Sequence, residues 1–219
     1  MNELPTPYYQ DDYCTIYHAD CRSVLPLLPK VDLVLTDPPY GIKRFENGIG
    51  KGDRMVNKSI GAAFNNNTPD ADALKRLLAM GKEAIIWGYN NLDLPRSEHF
   101  LVWDKEQTVD NFASAEIAFA NVRQPAKVFR YPIHRHNHAK AGGHPTEKPV
   151  PLMAWCIQQA DNPQTILDAY CGIGTTLRAA KDLRRHAIGI EIEEKYCEIG
   201  ARRLSQEVLP LEYPTREEA

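Results

Sequence analysis

The sequence predicts an α/β fold, a mostly parallel sheet with helices on both faces. Three observations carry this. Strand-like apolar runs alternate with helical patterns along most of the 219 residues. Two of those runs end abruptly in special loops, Asp37-Pro-Pro-Tyr40 and Asp168-Ala-Tyr-Cys-Gly-Ile-Gly-Thr-Thr176. The hydrophobic fraction, 43%, is that of an ordinary globular chain, so a core can form. The length suits a single domain spanning 1–219.

The elements follow in order. Cys14 to Ala19 reads as a strand, and a short helix near Arg22 to Leu28 is cut by Pro26 and Pro29. Val31-Asp-Leu-Val-Leu-Thr36 is a buried strand, stopped by two prolines that cannot continue a ladder. Residues 41–67 carry many Gly, Asn and Lys with little periodicity, and are expected to form a long mobile loop. Thr68-Pro-Asp70 starts a helix that runs through Leu74, Leu77 and Leu78 to about Gly81. Strands are expected at Ala84 to Tyr89 and Phe100 to Trp103, with a strand pair at Glu116 to Ala120 and Ala126 to Arg130. A helix covers Pro151 to Ala160, a strand Gln164 to Asp168, a helix Thr175 to Arg184 and a strand His186 to Glu191. The last helix sets Tyr196, Ile199, Leu204 and Val208 at near-helical spacing.

Composition excludes several classes. No apolar run approaches the ~20 residues of a membrane helix, and Met-Asn-Glu-Leu-Pro is not a signal-peptide start. Cys14, Cys21, Cys156, Cys171 and Cys197 are scattered and odd in number, so no disulfide framework is expected and a reducing cytoplasm is the natural setting. Net charge is −3, but Ile117 to Thr146 contains no Asp or Glu while holding Arg123, Lys127, Arg130, Arg135 and Lys140. Such a basic strip can attract a polyanion. His134, His136 and His138 alternate within it and suit a polar, polyanion-facing surface better than a zinc site; no metal is assigned.

The glycine loop sits between a strand and a helix. Its glycines let the backbone turn sharply and approach a ligand, and the helix start offers free N–H groups. Glu191 follows Gly172 by nineteen residues and ends the next strand. That is where nucleotide-binding βαβ units keep the acid that accepts from the ribose hydroxyls. The third glycine of the dinucleotide fingerprint is missing, with Thr176-Leu177 in its place, which argues against NAD or FAD and leaves another adenosine ligand.

Asp37-Pro-Pro-Tyr40 resembles the catalytic motif of the DNA amino-methyltransferases, which methylate adenine N6 or cytosine N4. Asp168 to Thr176 is similar to their S-adenosylmethionine (SAM) motif, D-P-F-x-G-S-G-T-T, and His144-Pro-Thr-Glu-Lys-Pro149 to the segment ahead of it. The catalytic motif comes first, the circularly permuted order of the β class. The resemblance spans roughly Tyr13 to Leu204 and implies a Rossmann-like SAM-dependent methyltransferase fold. It departs at Ala169, Tyr170 and Ile173, where the family usually has Pro, Phe and Ser.

The resemblance implies roles by position. Asp37 and the Pro38 carbonyl would accept from the target amino group. Pro39 belongs to the same catalytic motif, and Tyr40 would stack on the base, worth ~1–3 kcal/mol. Asp20 would contact the cofactor's adenine, with a helix cap as the equal alternative. Glu191 would hold the ribose, Ile192 would pack on the adenine, and Asp37, Asp168, Tyr170, Gly172, Gly174 and Thr175 would line the remainder. Thr146 and Lys148 would meet the methionine carboxylate. Residues 121–143 lie where the family keeps target recognition, with Arg123, Lys127, Arg130, Arg135 and Lys140 toward DNA. The expected function is site-specific methylation of adenine N6 in a flipped base of double-stranded DNA, by direct in-line attack. Cytosine N4 is the alternative target, an RNA substrate a further one, and a non-catalytic DNA-binding partner subunit the alternative of another class. A restriction endonuclease and a second copy of the chain are the partners considered, in a bacterial or phage-infected cytoplasm.

Overall fold

A computed structural model describes residues 3–40, 68–107, 113–133 and 147–206. Nine strands form one continuous sheet: β1 (Tyr9–Gln10), β2 (Cys14–His18), β3 (Val31–Thr36), β4 (Gly81–Trp87), β5 (Phe100–Asp104), β6 (Ala115–Ala120), β7 (Lys127–Arg130), β8 (Thr165–Asp168) and β9 (His186–Glu191). Their spatial order is β1-β2-β9-β8-β3-β4-β6-β5-β7. The five strands from β2 to β4 all run parallel. Antiparallel pairings occur only at β1–β2, β4–β6 and β5–β6 among the described residues.

Helices cover both faces, as expected. One core gathers Leu33, Leu35, Ile85 and Trp87 under α3 (Val150–Gln159), α4 (Thr175–Asp182) and α5 (Glu194–Ser205), which contribute Leu152, Leu177 and Leu204. The other packs Val34, Ile86 and Leu167 against α1 (Cys21–Val24) and α2 (Ala71–Met80) through Val24 and Leu77. Alternate residues of the central strands therefore feed opposite cores. Each fully buried leucine contributes ~1.5–3 kcal/mol, and Leu177→Ala would cost ~2–5 kcal/mol.

Local chemistry sets the boundaries. Asp70 caps α2 by accepting from the Ala73 amide at 2.8 Å. The chain passes from Met80 into β4 at Gly81, where a Cβ would meet the Glu83 carbonyl at 2.4 Å. No side chain fits that corner, so β4 starts earlier than the apolar run suggests. Asp11 turns β1 into β2 by accepting from the Tyr13 and Cys14 amides at 2.9 and 2.7 Å. That edge strand carries only two residues and no readable pattern.

One expectation is corrected. The segments 116–120 and 126–130 are not paired with each other, because β5 lies between β6 and β7. After Ala120 the Asn121 side chain accepts from the Ala84 amide at 2.6 Å, and Val122 is fully buried. The chain is thus drawn under the sheet instead of reversing in a hairpin, and β7 emerges parallel to β5. The expected loop 41–67, the stretch 134–146 and Val208 lie outside the described residues.

Candidate active site

Strand order places the site. From β3 the chain continues to β4 on one side, and from β8 to β9 on the other, so β3 and β8 flank the point where the winding reverses. Loops at the carboxyl ends of strands diverge there and leave a crevice. A cleft of about 230 Å³ occupies it, lined by residues after β2, β3, β8 and β9 and by the start of α2.

The loop after β3 and the glycine loop after β8 meet in this cleft, both Asp37 and Gly172 lining it. The Thr36 hydroxyl donates to an Asp168 oxygen at 2.6 Å, across 132 residues of sequence, and both groups are buried. The same Asp168 oxygen accepts from the Tyr170 amide at 3.1 Å, and Asp168 also touches the Thr176 hydroxyl. Burial raises the Asp168 pKa against these donors. Asp168 thus fixes two loops to each other as well as lining the cleft.

At the far end of the cleft Glu191 accepts from the Gly172 and Glu193 amides at 2.9 and 2.8 Å. Burial raises its pKa too. Gly172 and Gly174 have φ of +51° and +75°, conformations that side chains rarely adopt. Gly174 lies off the cleft; a Cβ on it would stand 3.5 Å from Gly200 of α5. Ile192 is 48% exposed and lines the cleft with Tyr170, Thr175 and Tyr196. The Tyr170 hydroxyl, absent from the usual phenylalanine, finds the Cys21 thiol. Asp20 takes the cap expected as one of its two roles, and it also borders the cleft. It caps α1 through the Arg22 amide at 2.9 Å, and it lines the cleft while ion-paired to Arg22.

Around Asp37 the geometry is unusual. Lys148 has a side chain only 5% exposed and pairs with Asp37 through Oδ2 and with Glu116 Oε2 at 3.1 Å. Its ammonium lies over the Trp87 ring, 5.8 Å from the centroid. Burial disfavours that charge, yet Asp37 and Glu116 outweigh it and hold the Lys148 pKa well above the ordinary lysine value. Burial likewise pushes Asp37 up to about 6; Lys148 opposes this, and the neighbouring Glu116 and Asp168 add to it. Asp37 Oδ1 is buried and without a hydrogen-bond partner among the described residues. Lys148, expected to meet the methionine carboxylate, borders the cleft with its ammonium held by Asp37 and Glu116. Its segment is clamped by Arg203 of α5, which donates to Glu147 at 2.6 Å and to Thr175 at 2.9 Å.

Pro38 is buried and Pro39 lines the cleft. Tyr40 stands outside the cofactor end and packs on Gly88, whose φ is +81°. Sequence reasoning missed Gly88, Glu116, Arg22 and Arg203. Glu116 and Gly88 had weak signals, a lone acid in the apolar run Ala115-Glu-Ile-Ala-Phe-Ala120 and a single glycine after Trp87.

The basic strip is dispersed. Arg123 follows Asn121, which is bonded to Ala84 toward the amino end of β4, so it lies at the other end of the sheet from Asp37. Lys127 and Arg130 are exposed on the edge strand β7. Arg130 is the nearer to the catalytic end, opposite Asp104 in the ladder and 3.6 Å from its carboxylate. Arg135, Lys140 and Thr146 lie outside the described residues, as do His134, His136 and His138.

Fold and cleft together define a class, the Rossmann-like α/β domains with a ligand crevice at the switch point. Comparison with known proteins narrows it. Residues 102–202 match the family described as DNA methylase of the N6/N4 type. The chain is 27% identical over 241 residues to the DNA adenine methyltransferase YhdJ of Escherichia coli K12, covering 87% of this chain and 82% of that protein. It is 24% identical to the type II methyltransferase M.BglII of Bacillus subtilis, covering 94% and 73%. Among solved structures, M1.HpyAVI in complex with SAM superposes with a TM-score of 0.56 at 20% identity, over 88% of this chain and all of that one. The cytosine-N4-specific PvuII DNA methyltransferase gives 0.59 at 14%, over 95% and 92%. These structures establish the fold. The chain is thus similar to N6/N4 DNA methylases in sequence and to their solved structures in fold, and Asp37 precedes Asp168 along it.

Proposed function

We propose that the chain is a site-specific DNA methyltransferase that transfers the methyl group of SAM to the N6 amino group of an adenine flipped from the duplex. One observation carries this reading. The Thr36–Asp168 hydrogen bond locks the Asp-Pro-Pro-Tyr loop and the glycine loop onto one cleft, with an unpartnered Asp37 oxygen buried beside it.

The cleft fits an adenosine cofactor. Glu191 offers a carboxylate to a ribose, the exposed Ile192 a flat apolar surface to an adenine, and Asp20 an acceptor at the same end. Asp168, Tyr170, Gly172 and Thr175 line the remainder, and Gly174 shapes the loop from behind. SAM supplies an electrophilic methyl on a sulfonium. The protein must then hold the nucleophile in line with it, which can carry much of the rate. An adenine amino nitrogen is a weak nucleophile because its lone pair is delocalised into the ring. Asp37 Oδ1 and the Pro38 carbonyl, accepting its two N–H bonds, would fix the nitrogen and favour a pyramidal geometry. Tyr40 would support the ring by stacking.

Adenine is favoured over cytosine because the motif is Asp-Pro-Pro-Tyr and because the YhdJ relative is named an adenine enzyme. Lys127 and Arg130, with Arg135 and Lys140 beyond them, are proposed to meet DNA phosphates. Arg123 is displaced from that group. A restriction endonuclease and a second copy of the chain remain the partners proposed, in the cytoplasm; no described helix is long and apolar enough to cross a membrane. Labelled SAM mixed with unmethylated duplex DNA, followed by nucleoside analysis, tests the proposal. N6-methyladenine is expected. N4-methylcytosine alone would overturn the choice of base, and absence of any transfer would favour a non-catalytic partner subunit.

A further inference from the structure

The motifs account for Asp37 and Lys148, but not for the acid that shares Lys148 with Asp37. We propose that Glu116 is a positioning residue for methyl transfer: it draws the Lys148 ammonium to one side of the Asp37 carboxylate and so keeps Oδ1 free for the target amino group. This rests on the methyltransferase reading above.

The geometry is a row of alternating charges across four elements. Lys105, the residue after β5, lies 2.5 Å from Glu116 Oε1. Glu116 Oε2 lies 3.1 Å from Lys148, and Lys148 bonds Asp37 through Oδ2 alone. Glu116, Lys148 and Lys105 are held well inside, their side chains 23%, 5% and 14% exposed. A buried ammonium needs carboxylate partners to offset its desolvation, and here two carboxylates share one ammonium. With Glu116 as a second partner, Lys148 stays off-centre and Oδ1 is left open, as observed. Lys105 holds Glu116 from behind, so Glu116 cannot swing away to solvent.

The same row sets the charge at Asp37. The groups facing it are Lys148, Glu116 of β6, Asp168 of β8 and Tyr40 of its own loop, with Lys105, just after β5, behind Glu116. Lys148 and Lys105 hold Glu116 down to about 2 against its burial, so it stays ionised while Asp37 titrates. Removing the Glu116 charge lowers the Asp37 midpoint, and removing the Lys105 charge raises it.

The test compares wild type with Glu116→Gln and Lys105→Met. Carboxyl-carbon NMR titration of aspartate-labelled protein, with Asp37→Asn to assign the signal, reads Asp37 directly. Steady-state kinetics on unmethylated duplex DNA read the consequence. Glu116→Gln is expected to lower kcat about ten- to a hundredfold, leave the SAM dissociation constant within about twofold, and move the Asp37 midpoint to lower pH. Glu116→Asp, which keeps the charge, should recover the midpoint. Lys105→Met should move it the other way, and tests the row even if the Glu116 variant folds poorly. An Asp37 midpoint unmoved in both variants, or wild-type kcat in Glu116→Gln, would overturn the proposal. Lack of transfer by wild type would instead sink the methyltransferase reading, and the NMR titration would still read the row.

Discussion

Gly88 carries no motif, yet Gly88→Ala should cripple the protein at the DNA step while sparing the cofactor step. A Cβ at this position would stand 2.4 Å from Tyr40 Cδ1 and 2.6 Å from Cε1, well inside van der Waals contact. The backbone φ of +81° adds a second penalty, about 1–2 kcal/mol for any residue with a Cβ. Neither strain can be relieved by rotating a flexible side chain, because the obstacle is the flat of an aromatic ring. The Tyr40 ring must move, and with it would go the proposed stacking on the base, about 1–3 kcal/mol or roughly five- to 150-fold in kcat/KM for DNA. Tyr40 does not line the cofactor end of the cleft, so SAM affinity should stay near wild type. The assay is steady-state methylation of a short duplex at saturating SAM, beside calorimetric SAM binding and thermal unfolding. A lowered melting temperature with unchanged kcat/KM for DNA would refute the reasoning, since it would mean that the ring position is irrelevant to the base.

Three other outcomes are expected. Asp37→Ala should bind SAM normally and lose about 10²–10⁴-fold in kcat; retained turnover would remove Asp37 from the mechanism. Because burial raises the Asp37 pKa to about 6, the acceptor is ionised above that value and protonated below it. The rate profile kcat/KM of wild type should therefore fall about tenfold per unit below pH 6 and be flat above, and a limb near 4 would contradict the assignment. Asp32→Ala should lower stability by about 1–2 kcal/mol in urea. Asp32 accepts from the Gln164 and Thr165 amides, both at 3.0 Å, and from Lys82 at 2.6 Å, stitching β3 to β8 below the cleft. Those donors hold its pKa well below the usual carboxylate range, so its contribution is present above the ordinary value and fades in strong acid.

The parallel half of the sheet was legible because each strand there carries its own signal. Val31 to Thr36 is apolar on both faces, as a strand buried on both sides must be, and Asp37-Pro38 names its last residue. The antiparallel half was only partly legible. Lys127 to Arg130 reads correctly as a strand, but its neighbour is set by where Asn121 and Val122 anchor. That anchoring is a tertiary contact with no local trace. The spread of basic residues misled for the same reason: a charge strip is continuous in sequence, whereas Arg123 and Arg130 sit at opposite ends of β7 and its approach.

The site divides along a similar line. Residues proposed to touch a ligand come in short motifs, because the loop after one strand must supply several contacts at once; Asp37 to Tyr40 and Asp168 to Thr175 are of this kind. Residues that set the charge and position of those contacts arrive from other elements, one at a time. Glu116 comes from β6 and Gly88 from the end of β4, and neither lies within 25 residues of a motif residue it touches. A single acid in an apolar strand and a single glycine after a tryptophan are weak signals alone. They gain meaning only because β4 and β6 run antiparallel beside β3, which brings the start of β6 level with the end of β4 and hence with Asp37. Pairing Trp87 with Ala118 places Glu116 just beyond the last rung, at the height of Lys148. A one-residue slip in that register would turn Glu116 to the other face and leave Lys148 with Asp37 alone. In the proposed arrangement the register of β4 and β6 therefore sets whether Asp37 Oδ1 stays open.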